Sequence, residues 1–276
     1  MGKDNQSAGA VPASETTPAF PLLPFFLLTY AISWSFSVPL LLSIKGIIPV
    51  SLPHELEWVA AFGPSIAAFI VAKKYCGQAG VDWLWAGIKR WRVSPFWLGF
   101  SILSPFVLLL IAMVMFRMRG DAWPDFSSDT FLQVLTVAGL FKLIVVGGLI
   151  QGVGEEPGWR GIATPVLRSR FGPLLASLAL FPVWLCWHLP QFLSRDGFGP
   201  VQFVLFGLGI LSATFWFTLM WDKTRSVLTA IFWHTFVNIA RNLALAMSPA
   251  VFMSFNMLIT LGALVILAYW LIARPK

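Results

Sequence analysis

The sequence predicts an all-α fold, a polytopic transmembrane helical bundle of about eight helices around a polar intramembrane cavity. Of the 276 residues, 58% are hydrophobic and 11% are charged, whereas soluble domains carry about 25% charged residues. Apolar runs of about 20 residues recur along the chain, and helices satisfy their own backbone polar groups within a bilayer. Polar and ionisable residues are concentrated in the second half of the chain, where they interrupt apolar runs.

The apolar runs define the candidate spans. In chain order these are Phe20–Ile44, Trp58–Ala72, Phe96–Phe116, Phe131–Val153, Pro173–Phe192, Val201–Met220, Val227–Ala246 and Val251–Ala273. The second span is short and contains Gly63 and Pro64, which predicts a kink at that point. Residues 1–18 are polar and are predicted to form a disordered tail, and residues 19–276 are predicted to form a single transmembrane domain.

Basic residues are concentrated after every second span. The net charge of +7 comes from 19 Lys and Arg against 12 Asp and Glu. The residues in these positions are Lys73, Lys74, Lys89, Arg90, Arg92, Arg160, Arg168, Arg170, Lys223, Arg225, Arg274 and Lys276. Arg117 and Arg119 are exceptions to this alternation. The positive-inside rule therefore places both termini in the cytoplasm, and membrane topology explains the positive charge without a nucleic-acid partner.

Residues 154–161 read Gly-Glu-Glu-Pro-Gly-Trp-Arg-Gly, at the predicted end of the fourth span. Ionisable side chains at membrane depth are costly and usually serve a function. On a helix, Glu156 and Arg160 lie one turn apart and are expected to pair, whereas Glu155 points about 100° away from Glu156. The two carboxylates are therefore predicted to have different roles, one in an ion pair and the other in a cavity. Pro157 is expected to break the helix beside them and to admit water.

Two of the three histidines lie within apolar spans. His234 and Asn238 are four residues apart, so both side chains lie on one helix face. His188 follows Trp184 by one turn, and the indole ring is expected to form a pocket wall beside the imidazole. The structural alternative for His188 is a hydrogen bond to a neighbouring carbonyl group, and His54 is predicted to be a solvated loop residue. The two embedded histidines are therefore the candidates for chemistry.

These residue types are sufficient for peptide hydrolysis without a covalent nucleophile. A carboxylate with an imidazole activates water as a general base, and a second imidazole with a carboxamide donates hydrogen bonds to a developing oxyanion. The alternative is a zinc site formed by His188, His234 and Glu155, because two histidines and one glutamate form a ligand set of zinc hydrolases. The chain contains neither the His-Glu-x-x-His pattern of zinc proteases nor the Gly-x-Ser-x-Gly pattern of serine hydrolases.

With these residues in this order, the chain resembles the CAAX-protease and bacteriocin-processing family of intramembrane proteases. Three patterns carry the resemblance: Glu-Glu-x-x-x-Arg at Glu155–Arg160, aromatic-x-x-x-His at Trp184–His188, and His-x-x-x-Asn at His234–Asn238. The second pattern usually begins with Phe, and Trp184 departs from it. The resemblance covers approximately residues 130–245, which would form the family core.

The resemblance implies a multi-pass protein of a bacterial plasma membrane that cleaves a peptide bond of a membrane-associated substrate near the cytoplasmic face. The implied roles are water activation for Glu155 and His188, an oxyanion site for His234 and Asn238, and structural support for Glu156, Arg160 and Trp184. The implied substrate is a prenylated C-terminus or a leader peptide, with no cofactor expected and zinc as the alternative. The rival hypothesis is a non-catalytic scaffold, immunity protein or transporter that uses the same polar cavity.

Overall fold

The computed structural model describes residues 17–120, 123–124 and 126–273. Within these residues the chain is helical and has no β-strand, so the all-α prediction is confirmed. Six helices in this part of the chain are long and apolar enough to cross a membrane. The protein is therefore a multi-pass integral membrane protein. Residues 1–16 of the predicted tail, together with Arg274 and Lys276, lie outside the described residues.

Short connections join successive helices. In chain order these are α1 (Leu22–Ile44), α2 (Leu56–Ala60), α3 (Gly63–Ile88), α4 (Pro95–Met118), α5 (Asp129–Leu135), α6 (Val137–Phe141), α7 (Ile150–Gly158), α8 (Thr164–Arg168), α9 (Pro173–Trp187), α10 (Leu189–Leu193), α11 (Pro200–Thr224), α12 (Val227–Met247) and α13 (Pro249–Ala273). Two π-helical segments, π1 (Lys142–Leu149) and π2 (Trp159–Ala163), join α6, α7 and α8 into one long helix over Val137–Arg168.

Six of the predicted spans correspond to the helices that can cross a membrane on length and composition. The other two correspond to α9, which has only 15 residues, and to α12, which carries the polar residues His234, Asn238 and Arg241. The helix α9 packs against α11, and α12 packs against α4, α7 and α13. Both helices supply polar groups to the interior, as does the long helix that carries Glu155, Glu156 and Arg160.

The second predicted span is interrupted where the sequence predicts a kink. Helix α2 ends at Ala60 and α3 begins at Gly63, because Pro64 fits only the first turn of a helix. The interruption is also close-packed, since a Cβ at Gly63 would overlap Ser33 Oγ. Ser33 Oγ in turn donates a hydrogen bond to the carbonyl oxygen of Ala60 at 2.8 Å. This contact holds the end of α2 against the middle of α1.

The predicted end of the second span at Ala72 is wrong, because α3 continues to Ile88. Lys73 and Lys74 were expected in a loop but lie exposed on the helix. A sharp bend follows at Gly77, whose φ of 62° and ψ of −146° are accessible to glycine. The apolar run therefore ends where the helix leaves its apolar surroundings, and the helix itself continues beyond that point.

The fourth predicted span, Phe131–Val153, is wrong at both ends. A break at Thr136 separates α5 from the long helix, and Thr136 Oγ1 accepts a hydrogen bond from the Gly139 amide at 3.0 Å. This side-chain cap begins a new helix. The long helix then continues through the acidic motif to Arg168. A span drawn from hydrophobicity ends at the first carboxylates, although the backbone remains helical through them.

Pro157 does not break the helix beside the carboxylates, contrary to the prediction. Helix α7 includes Pro157 and ends at Gly158, and the wider turn of π2 follows. Such π-helical turns are rare and are frequent at functional sites. Glu155 and Glu156 consequently lie inside a long helix, where neighbouring helices cover them and leave at most 1% of either residue exposed.

Glycines on α7 allow other segments to approach its backbone closely. A Cβ at Gly154 would lie 2.5 Å from the carbonyl oxygen of Ala61, and one at Gly158 would lie 2.6 Å from that of Pro64. Gly152 packs equally closely against α12, since a Cβ at this position would lie 2.8 Å from the carbonyl oxygen of Ile231. Small residues at helix contacts permit such close packing in membranes. The carboxylates between these glycines are thereby held near α12.

Basic residues that follow the spans gather at one end of the bundle. Arg168 Nε donates a hydrogen bond to Asp222 Oδ1 at 2.8 Å, and Ser226 Oγ donates one to the carbonyl oxygen of Arg90 at 2.7 Å. A cleft of about 760 Å³ lies at the other end, where α1 finishes. Its walls come from the α1–α2 connection and from the segment that follows α10. The basic loops and the cleft therefore lie at opposite ends.

Candidate active site

Glu156 is the centre of a buried ionic cluster. Its Oε1 accepts hydrogen bonds from His234 Nδ1 at 2.6 Å and from Arg160 Nη1 at 3.1 Å. Arg160 Nη1 also lies 3.0 Å from Oε2 of the same carboxylate. The predicted pair of Glu156 and Arg160 is therefore present, and His234 extends it. Because Glu156 and Arg160 are fully buried, each charge depends on the other for compensation.

Aromatic rings enclose the rest of the Arg160 guanidinium. Its Nε and Nη2 have no hydrogen-bond partner among the described residues. The guanidinium carbon lies 4.4 Å from the ring centroid of Trp184 and 3.7 Å from that of Phe217. Cation–π attraction from these faces partly replaces the missing acceptors. The sequence interpretation did not identify Phe217, since nothing in the sequence distinguishes it from the other phenylalanines.

Glu155 has a different environment from its neighbour, as the helical offset predicts. Its Oε2 accepts a hydrogen bond from Trp184 Nε1 at 2.8 Å. Its Oε1 forms no hydrogen bond within the described part of the chain, and neither oxygen pairs with an arginine. The indole of Trp184, which the sequence predicts only as a pocket wall, therefore also orients the carboxylate by donating to it.

His188 lies at the end of α9, at the junction with α10. Its Nδ1 is 2.8 Å from the carbonyl oxygen of Trp184. Because a carbonyl oxygen can only accept, Nδ1 carries the hydrogen and Nε2 of the neutral ring holds a lone pair. The imidazole is surrounded by the rings of Trp187, Phe192 and Phe206. The carbonyl contact expected for a purely structural histidine is thus present, and it also leaves Nε2 available as a base.

His234 and Asn238 share one face of α12, as their spacing predicts. His234 is 7% exposed, and its Nδ1 faces Glu156, which leaves Nε2 as the free nitrogen. Asn238 is half-buried and forms no hydrogen bond among the described residues. The Trp184 ring lies between the two histidines, with centroid distances of 5.8 Å to His188 and 6.2 Å to His234. Contacts through Trp184 and Glu156 therefore link six of the predicted site residues, and Asn238 lies one turn from His234 on the same helix.

A zinc site does not follow from this arrangement. Within the described ranges, no group of three His, Cys, Asp or Glu side chains is close enough to hold a metal ion. The candidate ligands Glu155, His188 and His234 are arranged around Trp184, which contacts all three residues. We therefore derive no step through a metal.

Residues 137–240 match the family model of the type II CAAX prenyl endopeptidases, described as Rce1-like. This stretch, the Rce1-like segment, is similar to that family. The predicted resemblance is thereby confirmed, because Rce1-like proteins are CAAX prenyl endopeptidases. The Rce1-like segment contains every predicted site residue, from Glu155 to Asn238.

The chain is also similar to a protein named CAAX prenyl protease 2 from Methanococcus maripaludis. The two are 29% identical over 154 residues, which amounts to 51% of this chain and 54% of the relative. The chain thus spans about half the length of the curated relative that it matches. The similarity and the Rce1-like segment point to the same class of protein.

Proposed function

We propose that this protein is an intramembrane endopeptidase that hydrolyses a peptide bond of a membrane-associated substrate. The observation that carries the proposal is the separation of roles between two adjacent buried carboxylates. Glu156 is neutralised by Arg160 and His234, whereas Glu155 accepts one hydrogen bond and keeps Oε1 unbonded. Structural polar contacts between membrane helices contribute only about 0.6 kcal/mol on average. Structural stabilisation alone is therefore a poor reason to bury both carboxylates.

Water activation is assigned to Glu155 and His188. The free Oε1 of Glu155 and the free Nε2 of His188 are both acceptors, and an acceptor can take a proton from attacking water. Trp184 positions both groups, because its Nε1 holds the carboxylate and its carbonyl oxygen holds the imidazole. One residue thus sets the orientation of both bases, which favours a reactive geometry without further rearrangement.

The oxyanion site is assigned to His234 and Asn238. With Nδ1 hydrogen-bonded to Glu156, a protonated His234 presents Nε2–H as a donor, and the carboxamide of Asn238 is a second donor. Donors that face a developing oxyanion in a site with little water strongly stabilise the tetrahedral intermediate. Glu156 and Arg160 have the supporting role, since they hold His234 and balance its charge.

The family match supports a proposal for the substrate class. We propose a protein that is anchored by a prenylated C-terminus, in preference to one with a leader peptide, because both similarities name CAAX prenyl proteases. We also propose that the reaction is independent of zinc. Full activity after incubation with a chelator supports this, and activity restored by added Zn²⁺ after chelation contradicts it.

The orientation remains a proposal that rests on the basic loops. We place both termini in the cytoplasm, following the positive-inside rule. The cleft then opens at the other face, since it lies at the opposite end from Arg90 and Arg168. This placement conflicts with the expectation of cleavage near the cytoplasmic face, so the two predictions cannot both hold if the substrate enters through the cleft.

The experiment that tests the function compares cells that express the wild type or Glu155→Gln at equal levels. Protein N- and C-termini in the membrane fraction are quantified by mass spectrometry. New termini found only with the wild type support an endopeptidase and identify its substrates. Identical termini, with both proteins folded and equally abundant, contradict the proposal and favour the non-catalytic scaffold or transporter.

A further inference from the structure

Arg241 is a cation near the candidate site that has no ion-pair partner within 4.0 Å among the described residues. It lies on α12, seven residues after His234 and three after Asn238, so all three side chains are on one face of the helix. Arg241 is half-buried and forms no ion pair, hydrogen bond or ring contact within the described residues. Arginine in a membrane helix is expensive and is usually retained for a function. An anionic group from outside the chain would supply the missing partner.

The surroundings of Arg241 connect the candidate site to the cleft. Arg241 interacts electrostatically with Glu155 and with Arg195. His188 interacts electrostatically with the same two arginines. Arg195 is exposed and lines the cleft, where its guanidinium lies 5.0 Å from the ring centroid of Phe192. A second cation, Arg195, therefore lies in the lining of the cleft and is close enough to Arg241 to interact with it electrostatically.

The alternative, in which Arg241 only compensates the negative charge of Glu155, explains fewer of these observations. No ion pair within 4.0 Å joins the two side chains, whereas Arg160 and Glu156 form one at 3.0 Å. Arg195 adds a second positive charge near Arg241, and Glu57 is an acidic neighbour of Arg195 at the cleft. A like-charged neighbour raises the energy of an unpaired cation. The pair is therefore better explained by an anion that binds between the two arginines.

We infer that Arg241, assisted by Arg195, binds the free C-terminal carboxylate of the substrate. This inference rests on the proposed function, because it names the group that positions the substrate in the same site. Arginine is suited to the task, since its planar guanidinium forms two parallel hydrogen bonds with a carboxylate. Bond cleavage itself is assigned to other residues, so Arg241 is a specificity-determining residue.

The separation along α12 matches the expected length of the peptide. Seven residues of helix place the backbone of Arg241 about 10 Å from that of His234. A C-a-a-X end has three residues between the cysteine carbonyl and the free carboxylate, and three extended residues span about 10 Å. A carbonyl group held by His234 and Asn238 would thus place the terminal carboxylate at Arg241.

The test uses two farnesylated peptides that end in the same Cys-a-a-X sequence, one with a free carboxylate and one with a C-terminal amide. Cleavage is measured with the full-length protein in lipid nanodiscs. The wild type is expected to prefer the acid by roughly 10- to 100-fold in kcat/KM, the range for a hydrogen bond to a charged group. Arg241→Gln is expected to reduce this ratio towards one, and Arg241→Lys to give an intermediate ratio. Arg92→Gln, an exposed arginine at the other end, serves as the control and should keep the wild-type ratio.

The outcomes separate this inference from the function on which it rests. Equal cleavage of acid and amide by the wild type overturns the inference and leaves the protease intact. A wild-type preference that persists in Arg241→Gln overturns it as well. Absence of cleavage of either peptide by the folded wild type contradicts the proposed function itself. If Arg241→Gln cleaves neither peptide, Arg241→Lys decides: an intermediate ratio supports the inference, and a ratio equal to that of the wild type overturns it.

Discussion

The same conservative change should have different effects on stability at the two adjacent carboxylates. Glu156→Gln leaves the guanidinium of Arg160, which is fully buried, without its counter-ion. Loss of one partner from a buried ion pair typically costs about 3–5 kcal/mol of stability. In Glu155→Gln, the new amide oxygen still accepts the hydrogen bond from Trp184 Nε1, so the expected change in stability is at most about 1 kcal/mol.

Activity should be lost in both variants, but only Glu155→Gln should lose it without losing stability. Glu155→Gln should abolish cleavage in a folded protein, because the amide cannot take a proton from water. Glu156→Gln should lose both stability and activity, since His234 and Arg160 lose the group that holds them. The free energy of unfolding is measured by SDS titration in mixed micelles, and cleavage is measured on the same preparations.

A double variant provides the internal control. Replacing Arg160 with Met in the Glu156→Gln background removes the uncompensated charge, so part of the lost stability should return. Equal losses of stability in the two single variants would refute the assignment of separate roles. So would a stable Glu156→Gln protein with full activity, because the buried cluster would then support neither the fold nor the site.

Two further predictions concern the packing and the orientation. Gly158→Ala should lower the free energy of unfolding by about 1–3 kcal/mol, since its Cβ would lie 2.6 Å from the Pro64 carbonyl oxygen. Gly99→Ala is the control, because a Cβ at Gly99 meets nothing within 4 Å. Equal stability of the two variants would contradict the close approach at Gly158. In a background with serine at both native cysteines, a membrane-impermeant thiol reagent applied to intact cells should label Asp196→Cys at the cleft but not Lys89→Cys at the basic end. Labelling of only Lys89→Cys would reverse the orientation and restore the expectation of cleavage near the cytoplasmic face.

Composition and local spacing are sufficient to predict the class of fold and to select the candidate site residues. Low charge and long apolar runs predict a helical membrane protein, because a bilayer admits few other backbone arrangements. Spacing of four residues predicts the pair Glu156 and Arg160 and the shared face of His234 and Asn238, because helical geometry is local. The offset between Glu155 and Glu156 likewise predicts that their partners differ, and the structure shows different partners.

Contacts between distant segments depend on tertiary packing, which local spacing does not specify. A span predicted from hydrophobicity ends at Val153, whereas the helix continues to Arg168. The prediction is wrong because neighbouring helices bury the carboxylates, and local hydrophobicity does not report that burial. The donation from Trp184 to Glu155 and the ring of Phe217 over Arg160 join helices far apart in sequence. The same packing leaves Arg241, on the face of the candidate site, with no ion pair among the described residues, which only the three-dimensional arrangement of charges reveals.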